Sequence, residues 1–286
     1  GGDFNHAGSL TVRTLAKWNG SEWLEVFGGV EGVVYTLAAM GTDLYVGGEF
    51  GYAGPYPNGT FASYIAKYDG TQWYPLGSGM DDYVLTLTFH GTDLYAGGFF
   101  KTAGGITTNY IAKWDGSQWS SLNSPMFGPD DETSVHSIAF IGDDVYAGGS
   151  YSISGPPYPY DLQNIAKWDG TEWSAVGMGF QGYDWYTTVY TLALQGTTLF
   201  AGGYFARSGV EYLHNISRFD GTQWYQFGNG FGNGMDNAAY SLAVVGSDLY
   251  AGGSFTRAGD IAANYIAKWD GSQWSQLSGG ASGDVY

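Results

Sequence analysis

Tryptophan returns through this chain at a nearly fixed interval, at Trp23, Trp73, Trp119, Trp173, Trp224 and Trp274, in steps of 50, 46, 54, 51 and 50 residues. Each one closes a copy of a single phrase, which reads AKWDGSQW in full at Ala112–Trp119 and again at Ala267–Trp274. A second marker keeps the same period. Gly-Gly pairs open at Gly1, Gly47, Gly97, Gly148, Gly202 and Gly252, each with an aromatic three residues on: Phe4, Phe50, Phe100, Tyr151, Phe205 and Phe255. A unit of about 50 residues that cannot bury its own apolar faces must stack on its neighbours, so a self-similar period of this size constrains the fold before any local reading.

Within one repeat, four short runs read as strands: VLTLTFH, DLYAGGFF, YIAKWDG and SQWSSL in the copy between Val84 and Leu122. Each is rich in β-branched and aromatic residues and bounded by turn residues. Aromatics at 18% and 48 glycines, against only 13% charged residues, fit many short strands joined by tight turns. Gly-Thr or a relative joins the first pair of strands, at Gly41, Gly91, Gly196 and Gly246, and Asp-Gly joins the second pair at Asp69, Asp115, Asp169, Asp220 and Asp270, with Asn19 in the first copy. The Asp-Gly turns are expected to place both central residues at positive φ. The prediction is an all-β chain forming a six-bladed β-propeller of four-stranded antiparallel blades, one domain over residues 1–286. An open solenoid would need polar capping repeats, and neither end resembles a cap.

The Gly-Gly pair closing the second strand and the tryptophan of the fourth resemble kelch-type propeller repeats. The fuller phrases GGxFxxAG, IAKWDGxxW and VYTLAxxGxxLY are most similar to repeats of bacterial secreted surface proteins and of fungal cortical-marker propellers, over essentially the whole chain. The resemblance implies a propeller fold and a role in surface display, adhesion or scaffolding. Galactose oxidase, a kelch relative with chemistry, builds its copper site on a Tyr-Cys crosslink, and a chain with zero cysteines has no such site.

The ends of the chain are out of phase with the repeat. Tyr286 aligns with Tyr35 and Gly1 with Gly47, so the segment Thr36–Val46 has no counterpart at the join. The sixth blade would combine Asp284, Val285 and Tyr286 with Gly1, Gly2, Phe4 and the AKWNG and EWLEV strands, and would lack most of its first two strands. On one expectation the chain is a mature or excised window of a longer repeat protein. On the other, a neighbouring chain supplies the hairpin by β-augmentation, a head-to-tail contact that does not close and therefore builds a filament.

A net charge of -17 argues against nucleic acid or an anionic membrane as partner and suits a secreted or cell-surface protein. No apolar run approaches the roughly 20 residues that span a bilayer, which argues against membrane insertion. The four histidines, His6, His90, His136 and His214, occupy unlike positions, and no HExxH or GxSxG string accompanies them, so hydrolase chemistry has no motif support. Residues needed in every repeat serve the repeat. Lys17, Lys67, Lys113, Lys167, Arg218 and Lys268 are expected to pair with recurring carboxylates such as Asp43, Asp93, Asp144 and Asp248.

Binding is expected on the long connections between repeated strands, which lie on the face opposite the short turns. Trp185 is the one tryptophan of eleven outside the repeat, and it stands with Tyr183, Asp184 and Tyr186. Tyr56, Tyr158 and Tyr160 are further off-pattern aromatics. Aromatics beside carboxylates suit a sugar ring, through stacking and hydrogen bonds to hydroxyls; interloop packing is the alternative. Asp130, Asp131 and Glu132 offer hard oxygens for Ca²⁺ but lack EF-hand spacing, and no other cofactor is expected. The function expected first is a non-enzymatic extracellular scaffold or adhesin, assembling with itself or with a surface partner. A lectin-like glycan binder comes second and a carbohydrate-active enzyme third.

Overall fold

The computed structural model describes residues 1–55, 57–128, 132–153, 162–182, 187–228 and 234–286. They form two compact units, residues 1–124 and 125–286.

The first unit holds two four-stranded antiparallel meanders. One runs Val30–Met40, Asp43–Ala53, Ile65–Tyr68 and Trp73–Pro75, and the next runs Val84–His90, Asp93–Gly98, Ile111–Trp114 and Trp119–Ser121. Ahead of them a two-stranded sheet pairs Ala16–Trp18 with Trp23–Glu25. The second unit holds three such meanders, beginning at Ser134–Ile141, Thr188–Gln195 and Ala239–Val245 and ending at Trp173–Ala175, Trp224–Tyr225 and Trp274–Gln276. The strand boundaries therefore fall where the repeat places them.

Each core lies between consecutive meanders. Ile65 and Leu76 of one repeat share a buried cluster with Leu87, Leu94, Ala96, Phe100 and Trp119 of the next. Ile165, Val176 and Phe180 likewise pack with Leu192, Leu199, Ala201, Phe205 and Trp224. Three of the repeated tryptophans clamp this seam through an indole N–H that donates to a carbonyl of the preceding repeat, Trp73 to Phe27 (2.9 Å), Trp119 to Leu76 (2.9 Å) and Trp224 to Val176 (3.0 Å), whereas the buried Trp274 N–H makes no such bond. Each of these tryptophans also faces an aromatic across the turn of its own hairpin. The pairs include Trp18–Trp23, Tyr68–Trp73, Trp114–Trp119 and Trp269–Trp274, at ring separations of 5.0–5.4 Å.

That turn departs from expectation. Trp114 pairs with Trp119, which leaves a four-residue loop, Asp115–Gln118, in place of a two-residue one. Only glycine takes positive φ, Gly70 at 96° and Gly116 at 97°, whereas the aspartate turns the chain with its side chain: the Asp115 carboxylate accepts the Ser117 and Gln118 N–H groups, both at 2.8 Å. Asn19 plays the same part for Ser21 and Glu22, so its residue type reflects this acceptor role and the left-handed position falls to Gly20. These bonds favour the ionised carboxylate, lowering the pKa of Asp115, Asp169 and Asp270 from 3.8 to about 2.

Two further devices recur without a sequence signal strong enough to predict them. The first strand of every meander carries a bulge, between Val34 and Thr36, Val84 and Thr86, Val135 and Ser137, Val189 and Thr191, and Ala239 and Ser241. The hydroxyl after the bulge accepts a backbone N–H from the next repeat: Thr36 from Leu87 (3.0 Å), Ser137 from Leu192 (3.0 Å) and Thr191 from Leu242 (3.2 Å). The residue two before the repeated Ala-Lys (Ser-Arg in one copy) is left-handed in all six repeats, at Thr14, Tyr64, Tyr110, Asn164, Asn215 and Tyr265. Where it is asparagine it ties two loops together. The Asn215 side chain accepts the Phe205 N–H and donates to the Met235 carbonyl, both at 3.0 Å, so the buried asparagine of the Asn-Ile-Ser sequon at Asn215–Ser217 is held at both its oxygen and its nitrogen.

Candidate functional site

Four of the six recurring basic residues form the expected ion pairs; Lys17 and Arg218, whose repeat has Thr198 at the aspartate position, form none among the described residues. Lys67, Lys113, Lys167 and Lys268 reach Asp43, Asp93, Asp144 and Asp248 at 2.9–3.0 Å, and each hydrogen bond raises the lysine pKa. The pairs span the second and third strands, with the lysine opposite an aromatic: Tyr45↔Lys67, Tyr95↔Lys113, Tyr146↔Lys167 and Tyr250↔Lys268. Two places escape this pattern, one in each unit.

In the first unit the Ala16–Trp18 strand has a ladder partner on one side only. Every other third strand among the described residues is flanked on both sides. The rim beside the open edge is nevertheless in standard register. Gly2 N–H donates to Thr14 O at 3.1 Å, as Gly48 does to Tyr64 and Gly98 to Tyr110. Thr14 N–H donates to Phe4 O at 3.0 Å, as Tyr64 does to Phe50 at 2.8 Å. Phe4 itself is only half-buried, whereas Phe50 and Phe100 are buried. Gly1 lies against Val34 and Leu15. At the edge Trp18 is 51% exposed and Trp23 43%, and Leu24 and Phe27 are exposed beside them. Trp73, Trp119, Trp224 and Trp274 are buried. Lys17 is exposed and has no carboxylate partner among the described residues.

At the end of the second unit Val285 abuts Gly252 and donates its N–H to Gly253 O (3.2 Å), the relation Val34 has to Gly2 (3.3 Å). The alignment of Val285 with Val34 and of Tyr286 with Tyr35 therefore holds in space within each unit. Asp284 is exposed, and the Tyr286 ring, 84% exposed, stacks on Tyr240 at 4.8 Å. It ends a row of rings that the bulges turn to one side: His136 meets Tyr190 at 5.3 Å and Tyr190 meets Tyr240 at 5.2 Å. Burial raises the Tyr190 pKa and lowers that of His136 from 6.5 to about 4; the His136 ring also sits 3.0 Å from the Ser134 hydroxyl.

The second unit also contains a cleft of about 460 Å³ lined by polar groups, among them Glu132, Ser152, Gln163, Gln181, Thr187 and Arg207. Gln181 exchanges backbone hydrogen bonds with Arg207 across neighbouring repeats (2.9 and 3.1 Å), which fixes one wall. Glu132, Gln163 and Gly182 lie at or near the ends of the three segments that carry Asp130 and Asp131, Tyr158 and Tyr160, and Tyr183, Asp184, Trp185 and Tyr186. Those residues, and Tyr56, lie outside the described residues. Of the Ca²⁺ candidates only Glu132 is described, and no group of three metal-ligating side chains occurs among the described residues. The lining offers amides, hydroxyls, one guanidinium and one carboxylate, a set suited to hydrogen-bonding a hydroxyl-rich ligand.

This construction matches solved structures. The computationally designed Ika8 protein superposes with a TM-score of 0.52 at 16% identity, over 88% of this chain and 64% of the designed one. YjhT superposes with a TM-score of 0.50 at 16% identity, over 85% of this chain and 83% of its own. The fold is an all-β propeller. The chain spans a little under two thirds of the designed protein's length, and at this identity the likeness concerns the fold alone. No protein-family model matches the sequence, and no curated protein does.

Within the propeller the short turns and the long connections part as the sequence suggests. The connection between second and third strands carries its own small hairpin, such as Thr102–Ala103 with Ile106–Thr107. It bonds to the loop that ends the preceding repeat, Gly104 N–H to Gly79 O at 2.8 Å and Gly259 N–H to Gly234 O at 2.7 Å. Interloop packing therefore accounts for part of the long connections in each unit, and the polar cleft lies among those of the second.

Proposed function

We propose that this propeller is a non-enzymatic scaffold of the cell exterior, a single six-bladed ring related to the kelch-like surface repeats, that works by assembling with a neighbouring chain or surface partner. The carrying observation is the Ala16–Trp18 strand, paired with Trp23–Glu25 on one side and with no strand on the other among the described residues, beside exposed Trp18 and Trp23. Sheet edges and clustered exposed aromatics are what soluble proteins ordinarily cover. The extracellular placement draws support from the net charge of -17. Light scattering over a concentration series tests the assembly. A rising mass is expected, and a single monomeric species at millimolar concentration would sink the reading.

The polar cleft favours a second reading, glycan binding on the long-connection face. Its lining supplies hydroxyl-bonding groups, and its rim adjoins in sequence the segments bearing Tyr158, Tyr160 and Trp185. A glycan array decides it: binding should appear and should be lost in Trp185→Ala and in Arg207→Ala. Any carbohydrate-active chemistry there would use Glu132, the one carboxylate among the described lining residues.

A further inference from the structure

The geometry points to a binding site for a small monocarboxylate in the second unit, at the short turns, where Thr198 stands in place of the recurring aspartate and leaves Arg218 facing a cavity. The site is independent of the assembly and glycan readings above.

Four repeats show what this position ordinarily holds. Asp43 closes the first hairpin of its repeat by pairing with Met40, and its carboxylate meets Lys67 of the third strand at 2.9 Å. Asp93, Asp144 and Asp248 do the same for Lys113, Lys167 and Lys268. Thr198 closes its hairpin in that register by pairing with Gln195, and Arg218 lies opposite Phe200 as Lys67 lies opposite Tyr45. The backbone therefore presents a cation to the usual carboxylate position, which here carries a hydroxyl. Three residue types change together in this repeat: aspartate to Thr198, tyrosine to Phe200 and lysine to Arg218. Neither the Arg218 guanidinium nor the Thr198 hydroxyl has a partner among the described residues.

The space that the aspartate fills elsewhere is open. A cavity of about 330 Å³, at the small end of ligand pockets, is lined by Thr198, Arg218, Phe219, Asp220 and Tyr225. Its available donors are the guanidinium N–H groups and the Thr198 hydroxyl. The other polar groups are engaged: the Tyr225 hydroxyl accepts from the Gln223 amide and donates to Asp220, whose carboxylate also accepts the Thr222 and Gln223 N–H groups at 2.8 and 3.0 Å. The Tyr225 ring and the buried Phe219 give the cavity an aromatic side.

Charge sets the valence of the ligand. Lys67 lies within reach of two carboxylates, Asp43 and the turn residue Asp69, so that trio carries one net negative charge. Arg218 and Asp220 sum to zero, and one bound monoanion restores the balance of the other repeats. A dianion would exceed it. Arginine in place of lysine suits a free carboxylate, because the planar guanidinium grips both oxygens at once and so orients a ligand that no chain anchors.

The test titrates the 286-residue chain with benzoate, following the Arg218 Nε–H by NMR and the affinity by calorimetry. Saturable binding with a Kd of about 1–10 mM is expected for a ligand of this size held by one charged contact. Benzyl alcohol, which keeps the ring without the charge, and sulfate, which carries twice the charge, should each bind about ten-fold more weakly or not at all. Two variants locate the site. Arg218 is exposed, so Arg218→Gln spares the core and should abolish the calorimetric response. Thr198→Asp should abolish it too, because it supplies the internal ion pair that four repeats already fold with; circular dichroism verifies that both variants are folded. Benzoate binding that survives Thr198→Asp, equal uptake of benzyl alcohol or sulfate, or an Arg218 Nε–H that does not move during the titration overturns the proposal.

Discussion

Replacing His136 with leucine, the residue that occupies the same bulge in the preceding repeat as Leu85, is expected to remove a pH dependence from the stability of the second unit. Burial beside Tyr190 lowers the His136 pKa from 6.5 to about 4. The unfolded chain then binds this proton more tightly than the folded one. The histidine's contribution is complete above pH 6.5 and is lost as pH falls through the window from 6.5 to about 4. At about 1.4 kcal/mol per pH unit, that window is worth about 3 kcal/mol, most of which, about 2.5 kcal/mol, is gone by pH 4.5. Urea denaturation of the wild type and His136→Leu at pH 7, 5.5 and 4.5 reads the difference directly. The wild-type stability minus that of His136→Leu should fall as pH drops from 7 to 4.5, because only the wild type carries the histidine's penalty. Parallel pH profiles, or a ring that titrates near 6.5 by NMR, would refute the reasoning.

Three other outcomes follow from the packing and the turns. Gly47→Ala places a methyl 2.6 Å from Val84 Cγ1 and 2.8 Å from Thr36 Cγ2, so denaturation should show a loss of about 1–3 kcal/mol; Gly51, which meets nothing within 4 Å and whose φ is ordinary, should tolerate the same change. Trp119→Phe removes the indole N–H from Leu76 O in a buried seam and should cost about 0.5–1.5 kcal/mol by the same assay, the net worth of one hydrogen bond, because the carbonyl keeps the Gly79 N–H at 3.1 Å. The turn aspartates Asp115, Asp169 and Asp270, whose pKa falls from 3.8 to about 2, contribute stability present above 3.8 and lost as pH drops toward 2. Acid unfolding followed by circular dichroism should therefore set in below pH 4 and shift upward in Asp115→Ala.

Periodic information was legible in the residues themselves. Six copies of a Trp and a Gly-Gly pair located the strands, and the spacing of Lys67 from Asp43 and of Lys113 from Asp93 anticipated ion pairs that form at 2.9 Å. Local geometry was less so. Asp-Gly suggested a two-residue turn, but the cross-strand match of Trp114 with Trp119 leaves four residues, and the carboxylate then caps two amides. The bulges that aim His136, Tyr190 and Tyr240 into one row leave no distinctive string, since Tyr35 and Leu85 occupy the same place.

The sequence by itself determined the repeat, the all-β meander, and the charge pairing of second and third strands. These depend on neighbours in the chain or on residues repeated at one period, and such relations survive in a linear string. Tertiary structure decided which tryptophans are covered, that Gln163, Gln181 and Arg207 line one cleft, and that Asn215 of a sequon is buried between two loops. Those properties depend on what lies against a side chain from roughly 50 residues away, where a packed interface and an open edge are written with the same amino acids.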